Sequence, residues 1–242
     1  MKLIIDIGNT RAKLTAWHEG APTEVVTTSN QTLDGLHAFA AAHPFTQAIV
    51  STVVRLTPQA EEALAALTMP LMRLTADTPL PGQLQLPPTM GADRIAAIVG
   101  ALATAQSGAI LIIDAGTCVT YEVVDPGGQY LGGNIAPGLQ MRLTSMHEHT
   151  SLLPHVEAQG DLPPEGYDTI TAMRCGALRG LQHEIEGYIH HYRRRWPQLR
   201  VWLTGGDSFS FAPDIAPIIH QDQHLVARGL QHILDYNTSR QQ

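Results

Sequence analysis

Two short segments of this chain set a carboxylate at the end of an apolar run and follow it with glycine and small polar side chains. They are Asp6-Ile7-Gly8-Asn9-Thr10 and Asp114-Ala115-Gly116-Thr117. Glycine in such a turn lets backbone N–H groups come close to a phosphate. A carboxylate at the same place repels bare phosphate, so it makes chemical sense with a cation between them, and Mg²⁺ is the natural one. Alone, either turn also fits an ordinary hairpin whose aspartate bonds the turn backbone. Two of them, each heading one half of the chain, form the pattern of a nucleotide held between paired phosphate hairpins.

A third segment, Gly91-Ala92-Asp93-Arg94, opens an apolar, Ala-rich stretch. Aspartate in the first turn of a helix is favoured as an ion by the helix dipole, and a plain cap is one reading of it. The other is a proton acceptor next to an anion anchor, because arginine holds a carboxylate in a bidentate contact. That pairing suits an alcohol substrate that also carries a carboxylate. Gly132-Gly133-Asn134-Ile135-Ala136-Pro137-Gly138 reads as a loop whose backbone either closely approaches a ligand or simply makes a sharp turn between strand and helix, and Gly205-Gly206 after Val201–Thr204 has the same two readings. The sequence has no G-x-x-x-x-G-K-[ST], G-x-G-x-x-G or G-x-S-x-G segment, which excludes a P-loop kinase and a serine hydrolase of the elbow type.

The elements that must position these residues repeat. A buried strand is expected at 2–7, extended segments at 11–17 and 23–28, a helix at 32–42, a strand at 47–53 and a helix at 58–67 that Pro58 starts. Residues 79–90 are Pro-rich and irregular, and 92–106 form a helix. The second half restarts with strands at 109–114 and 118–124, a hairpin turn at Pro126-Gly127-Gly128 and a strand from 129. Helices near 139–150 and over 168–195, strands at 200–204 and 217–221, and a helix at 223–236 complete it. Two strand-rich halves with mixed sheets predict a duplicated α/β chain around a central cleft. We place the boundary at Gln106-Ser107-Gly108, giving domains 1–106 and 107–242; whether the final helix packs back on the first half is open at this level.

Composition narrows the function. With 44% hydrophobic and 15% charged residues the chain is globular rather than disordered. A net charge of -7 is the wrong sign for a sequence-independent nucleic-acid binder. Lys2 and Lys13 are its two lysines, so cationic contacts to phosphate fall largely to arginine, backbone N–H groups or a metal ion. Cys118 and Cys175 lack zinc-ligand spacing and read as free thiols. The opening Met1-Lys2-Leu3-Ile4-Ile5-Asp6 is too soon interrupted for a signal peptide, and no run reaches membrane-span length, so a cytoplasmic protein without a membrane partner is expected.

These segments, in this order and over nearly the whole chain, resemble the type III pantothenate kinases. The Gly91–Arg94 and Gly132–Gly138 segments together carry the specificity; the aspartate turns mark the wider superfamily. The resemblance implies a duplicated ribonuclease H-like fold of the actin/hexokinase-like ATPase (ASKHA) class. It implies ATP-dependent phosphorylation of pantothenate, the first step of coenzyme A synthesis. Asp6, Ile7, Gly8, Asn9, Thr10, Arg11, Ala12 and Lys13 would wrap the ATP phosphates, with Asp6 near Mg²⁺ and Thr117 also on ATP. Gly91, Ala92, Asp93 and Arg94 would bind pantothenate, with Asp93 the proton acceptor and Arg94 on the carboxylate. Asp114 would hold a monovalent cation, K⁺ or NH₄⁺. Thr169 would touch pantothenate across a homodimer interface that the 168–195 helix helps to build.

Two departures accompany the match. The family often carries a tyrosine shortly before Gly91, where this chain has Gln83-Leu84-Gln85-Leu86-Pro87-Pro88, and Glu122 stands where many members have aspartate. Two rival functions remain at this level: another small-molecule kinase or phosphatase of the superfamily, for which Arg94 would have no carboxylate to hold, and a nucleotide-binding regulator without catalysis, from which the presence of Asp6 and Asp93 argues away.

Overall fold

Leu3, Ile4, Ile5 and Ile7 are fully buried, so the first strand is apolar on both faces, as a central strand covered on two sides must be. In the computed structural model, which describes residues 1–82, 84–105, 107–207, 209 and 211–240, this strand is β1 (Lys2–Ile7). Gln106 at the expected boundary, Gln83 ahead of Gly91, and Gln241 and Gln242 at the end of the second expected domain lie outside the described residues.

β1 pairs antiparallel with β2 (Ala12–His18), which pairs antiparallel with β3 (Ala21–Thr28). After helix α1 (Leu36–Ala42), strand β4 (Gln47–Thr52) returns parallel to β1. Helix α2 (Pro58–Ala65) has Pro58 at its start and a Thr57 hydroxyl that accepts from the Ala60 N–H at 3.1 Å. The three-residue strand β5 (Leu71–Arg73), too short to show in the sequence pattern, joins β4 in parallel. The sheet order is β3-β2-β1-β4-β5.

Helix α3 (Ala92–Thr104) follows, buried along Ile95–Ala101. The second series begins with β6 (Ile110–Ala115), paired antiparallel with β7 (Cys118–Val124). Then come β8 (Tyr130–Pro137), α4 (Leu139–Glu148), the 27-residue α5 (Thr169–Arg195) and β9 (Arg200–Gly205), which is parallel to β6. Strand β10 (Ile219–Gln221) pairs parallel with β9, and α6 (Leu225–Ser239) closes the chain. The second sheet runs β10-β9-β6-β7-β8. Renumbered from its own first strand, that is the order of the first sheet, so the topological repeat expected from sequence is present.

The chain divides into two compact units, Met1–Gln106 with Gly128–Tyr130 and His224–Gln242, and Ser107–Gly127 with Leu131–Gln223. The first contains α6, which settles what the sequence leaves open about the final helix. It packs on α3 through facing glycines. A Cβ on Gly100 would overlap the Leu225 carbonyl, and one on Gly229 would overlap the Ala96 carbonyl, so neither helix could lie this close with any larger residue there. In the second unit, α5 covers one face of the sheet with Leu181, Ile185 and Ile189, all fully buried beside Val119, Tyr121 and Val123. Among the described residues no helix is long and apolar enough to cross a membrane.

One expectation needs correction. Gly132–Pro137 is not a loop but most of strand β8. Its glycines do mark close approach, but the approach is to the chain itself. A Cβ on Gly133 would collide with the Glu122 carboxylate and the Tyr121 carbonyl of β7, and one on Gly138 with the carbonyls of Gly116 and Thr117. Gly138 serves as the cap of α4.

Candidate active site

In the first unit the aspartate turn is built by three strands. Asp6 is the next-to-last residue of β1, and its register partners are Lys13 on β2 and Ser51 on β4. The Ser51 hydroxyl, itself buried, donates to Asp6 Oδ1 at 2.8 Å. Burial raises the proton affinity of the Asp6 carboxyl, and the negative charge of Asp93 raises it further; the Ser51 hydrogen bond and the Lys13 charge oppose this. Beyond Asp6 the chain reverses, with the Gly8 N–H donating to the Arg11 carbonyl at 3.0 Å. A Cβ on Gly8 would stand 3.3 Å from that oxygen, so the tightness of the turn favours glycine. The Asn30 side chain donates to the carbonyls of Gly8 and Asn9, at 3.0 and 2.8 Å, and pins the turn from outside. Asn9, Thr10, Arg11 and Lys13 are exposed. The result is a fixed turn that presents two cationic side chains beside a half-buried carboxylate.

The start of α3 belongs to the same unit. Gly91 is its cap, and the carboxylate of Asp93 folds back to accept from the Arg94 N–H at 2.7 Å. A Cβ on Gly91 would come within 2.6 Å of Asp93 Oδ1, so glycine there leaves room for that carboxylate. The Arg94 guanidinium donates to the phenol of Tyr130 at 3.4 Å. Asp6 and Lys13 are thus register partners, the charges of Lys13 and Asp93 both act on the Asp6 carboxyl, and Arg94 directly follows Asp93. Ser51, Asn30 and Tyr130 were not singled out in the sequence. The first could have been found by aligning the polar ends of the two apolar strands 2–7 and 47–53; the other two carry no local signal.

In the second unit Asp114 holds the same place on β6 that Asp6 holds on β1. Its register partners are Thr120 on β7 and Thr204 on β9. The turn is shorter: the Gly116 N–H donates to the Cys118 carbonyl at 3.0 Å, and Thr117 at its tip is exposed. Thr169 is the first residue of α5 and is exposed. It follows Asp168, which caps the helix in a reciprocal arrangement with Thr171 and whose carboxyl is held below the usual range by those hydrogen bonds. Among the described residues no cluster of three or more His, Cys, Asp or Glu could form a self-contained metal centre.

Two five-stranded sheets of one order, each ending its first strand in an aspartate-glycine turn, define the duplicated actin/hexokinase-like ATPase fold. Solved structures agree on that fold. A Campylobacter jejuni protein described as a Baf family transcriptional activator superposes with a TM-score of 0.62 at 21% identity, covering 98% of this chain and 99% of its own. A Sinorhizobium meliloti protein described as a 2-dehydro-3-deoxygalactonokinase gives 0.56 at 13% identity, covering 98% and 99%.

Within that class the chain belongs to the type III pantothenate kinase family, whose family model matches residues 2–191. Type III pantothenate kinase of Bacteroides fragilis is 47% identical over 242 residues, covering 99% of this chain and all (100%) of the relative. That of Phocaeicola vulgatus is 42% identical over 239 residues, covering 98% and 99%.

Proposed function

We propose that the protein transfers the γ-phosphoryl group of ATP to the primary hydroxyl of pantothenate, the first step of coenzyme A synthesis. The observation that carries this reading is the presence of Asp93-Arg94 and the Asp6 turn in one compact unit. The helix start suited to an acidic alcohol lies close enough to the phosphate turn for the Asp93 charge to act on Asp6. In our assignment Asp6 through Lys13 hold the ATP phosphates, and Gly91 through Arg94 hold pantothenate, with Arg94 on its carboxylate. Asp93 accepts the hydroxyl proton. Phosphoryl transfer through a loose transition state demands positioning and charge neutralisation above all, so an aspartate that orients the hydroxyl and receives its proton late suffices.

The residues fit Mg²⁺. A half-buried carboxylate that feels the negative charge of a second one is relieved by a divalent cation, and Mg²⁺ takes one or two carboxylates together with substrate phosphate oxygens. Asp6 would hold it, and the ion would neutralise charge on the triphosphate. Asp114, with Thr120 and Thr204 as register partners, offers a hard-oxygen setting with a single negative charge, which suits K⁺ or NH₄⁺. Thr117 contacts ATP in this assignment.

We further infer a homodimer working in the cytoplasm, with Thr169 on the pantothenate of the partner copy. Support comes from the exposed apolar side chains near the start of α5, Tyr167 at 71% and Ile170 at 44% exposure. Gly176, Gly180 and Gly187 also leave one flank of that helix open to close approach, since a Cβ on any of them would meet nothing.

The deciding experiment is ATP consumption by the purified protein with pantothenate, with and without K⁺. Pantothenate-dependent ADP formation, stimulated by K⁺ or NH₄⁺, is expected. Absence of such turnover under both conditions overturns the reading, and equal turnover of a neutral sugar would point to another kinase of the superfamily.

A further inference from the structure

Strand β8 ends at Pro137, α4 begins at Leu139, and the single residue between them bears on the second turn. The Gly138 N–H donates to the Thr117 carbonyl at 3.2 Å, and a Cβ on Gly138 would collide with the carbonyls of Gly116 and Thr117. With contact this close, displacement of the corner displaces the Thr117 tip. The apolar anchors of the corner are few, since Leu139 and Leu143 are the buried residues of the ten-residue α4. Its glycine cap offers no side chain to the first N–H groups of the helix.

A polar clamp restrains the corner from the side of α5. The Arg142 guanidinium donates through Nε to the Pro137 carbonyl at 2.8 Å and through Nη2 to Glu184 Oε2 at 2.5 Å. The other oxygen of that carboxylate accepts from the Tyr121 phenol at 2.8 Å. Tyr121 is fully buried on β7, and its ring stacks on Tyr188 of α5 with centroids 4.1 Å apart. Burial, and then the hydrogen bond to Glu184, raise the proton affinity of this phenol, so it remains a donor. One carboxylate on α5 is therefore held to the sheet by one oxygen and reaches the corner through the other. The ion pair contributes little to stability by itself. Its side chains are 22% and 28% exposed, so each charge gives up much of its hydration, and their attraction does little more than offset that loss. What the pair supplies is geometry. The planar fork of arginine aims Nε and Nη2 in fixed directions, which a flexible ammonium does not do.

We propose that Arg142 and Glu184 are positioning residues for the nucleotide. Anchored to the sheet by Tyr121, the pair fixes the Pro137–Gly138 corner, and the corner fixes the turn that presents Thr117 to ATP. The inference rests on the reading that ATP contacts the second turn through Thr117. Neither residue touches a reacting atom in this scheme. Both act through one shared contact, so removing the second after the first changes little more.

A double-mutant cycle tests this. Wild type, Arg142→Ala, Glu184→Ala and the double variant, each as the full chain, are compared in steady-state kinetics with ATP and pantothenate varied separately. Backbone hydrogen exchange is followed over residues 116–118 and 138–143. Each single change is expected to raise KM for ATP about 3- to 10-fold, the range of one lost hydrogen bond. The double variant should match the more impaired single within about 1.5-fold, because the two residues act as a unit. KM for pantothenate should stay within about twofold, and exchange should quicken over both segments. The proposal fails if the two losses multiply in the double variant, for the residues then act independently. It fails equally if KM for ATP stays at the wild-type value while exchange quickens, as a purely structural clamp would give, or if KM for pantothenate rises as much as KM for ATP. Should an Ala variant not fold, the cycle is run with Arg142→Lys and Glu184→Gln, and the same criteria decide. Failure of the kinase reading shows separately, as absence of pantothenate-dependent turnover in the wild-type protein.

Discussion

Ser51→Ala is expected to destabilise the protein more at alkaline than at acidic pH, and to move the acidic limb of the kcat/KM profile for ATP to higher pH. The Ser51 hydroxyl donates to Asp6 Oδ1 at 2.8 Å from a side chain that is 1% exposed, so no water is placed to replace it. A hydrogen bond to an ionised group contributes about 1.5–3 kcal/mol, against roughly 0.5–1.5 kcal/mol between neutral groups. Removing it therefore costs about 1.5–3 kcal/mol where Asp6 is ionised and roughly 1 kcal/mol where it is protonated. The sign follows from linkage. Burial raises the Asp6 proton affinity in the folded chain, so what this group contributes to stability is greatest in acid and declines as pH rises through its folded titration. Ser51 moderates that decline, and its loss steepens it. Denaturant unfolding of wild type and variant, at pH 8 and at the lowest pH where wild type stays folded, measures the difference. Equal destabilisation at both pH values, or an acidic limb that does not move, would refute the assigned role of Ser51.

The other predictions concern the substrate helix. Asp93→Asn should lower turnover about a hundredfold or more, the general-base scale, while calorimetric titration still shows ATP binding; wild-type-like turnover would remove Asp93 as proton acceptor. Tyr130→Phe deletes the phenol that receives Arg94 at 3.4 Å, and KM for pantothenate should rise about fivefold with kcat little changed, since roughly 1 kcal/mol of anchoring is lost from ground and transition states alike. Gly229→Ala forces α6 away from the Ala96 carbonyl of α3, and thermal unfolding should report about 1–3 kcal/mol of lost stability. The same shift reaches the helix that carries Asp93, so kcat should fall as well, because displacement of about 1 Å at a reacting group can cost on the order of a hundredfold.

Much of the fold was legible because its signals are local. Apolar runs ending in Asp-x-Gly gave away β1 and β6, Pro58 marked a helix start, and the repeat of strand pattern pointed to two sheets of one kind. The less legible features depend on what comes together from distant parts of the chain. Ser51 reaches Asp6 through the unshifted parallel register of β1 and β4. Tyr130 reaches Arg94 by folding, not by spacing. The glycines of β8 misled because glycine signals close approach without saying to what. At Gly133 the neighbour is Glu122, and at Gly138 it is the second turn. Strand β5 has three residues and no alternation to read.

The two units share a frame and differ in charge, and that difference bears on how they divide the work. Each aspartate sits at the same place on its strand, with a hydroxyl residue as parallel register partner: Ser51 for Asp6 and Thr204 for Asp114. The antiparallel partners diverge. Asp6 faces Lys13, and Arg11 stands exposed on its turn; Asp114 faces Thr120, and its turn has no basic residue. A polyanion such as triphosphate is drawn to the turn with two cationic side chains. A turn of neutral oxygens around one carboxylate cannot neutralise such a ligand by itself, but it can hold a small cation that does. Duplication supplies two equivalent carboxylates, and under the proposed function the side chains opposite them would suit one to the phosphate chain with Mg²⁺ and the other to a monovalent ion. Exchange of the Lys13 and Thr120 residue types would leave ATP affinity unchanged if strand position alone decided that assignment, and would weaken ATP binding at the first turn if, as the charge pattern argues, the opposing side chains decide it.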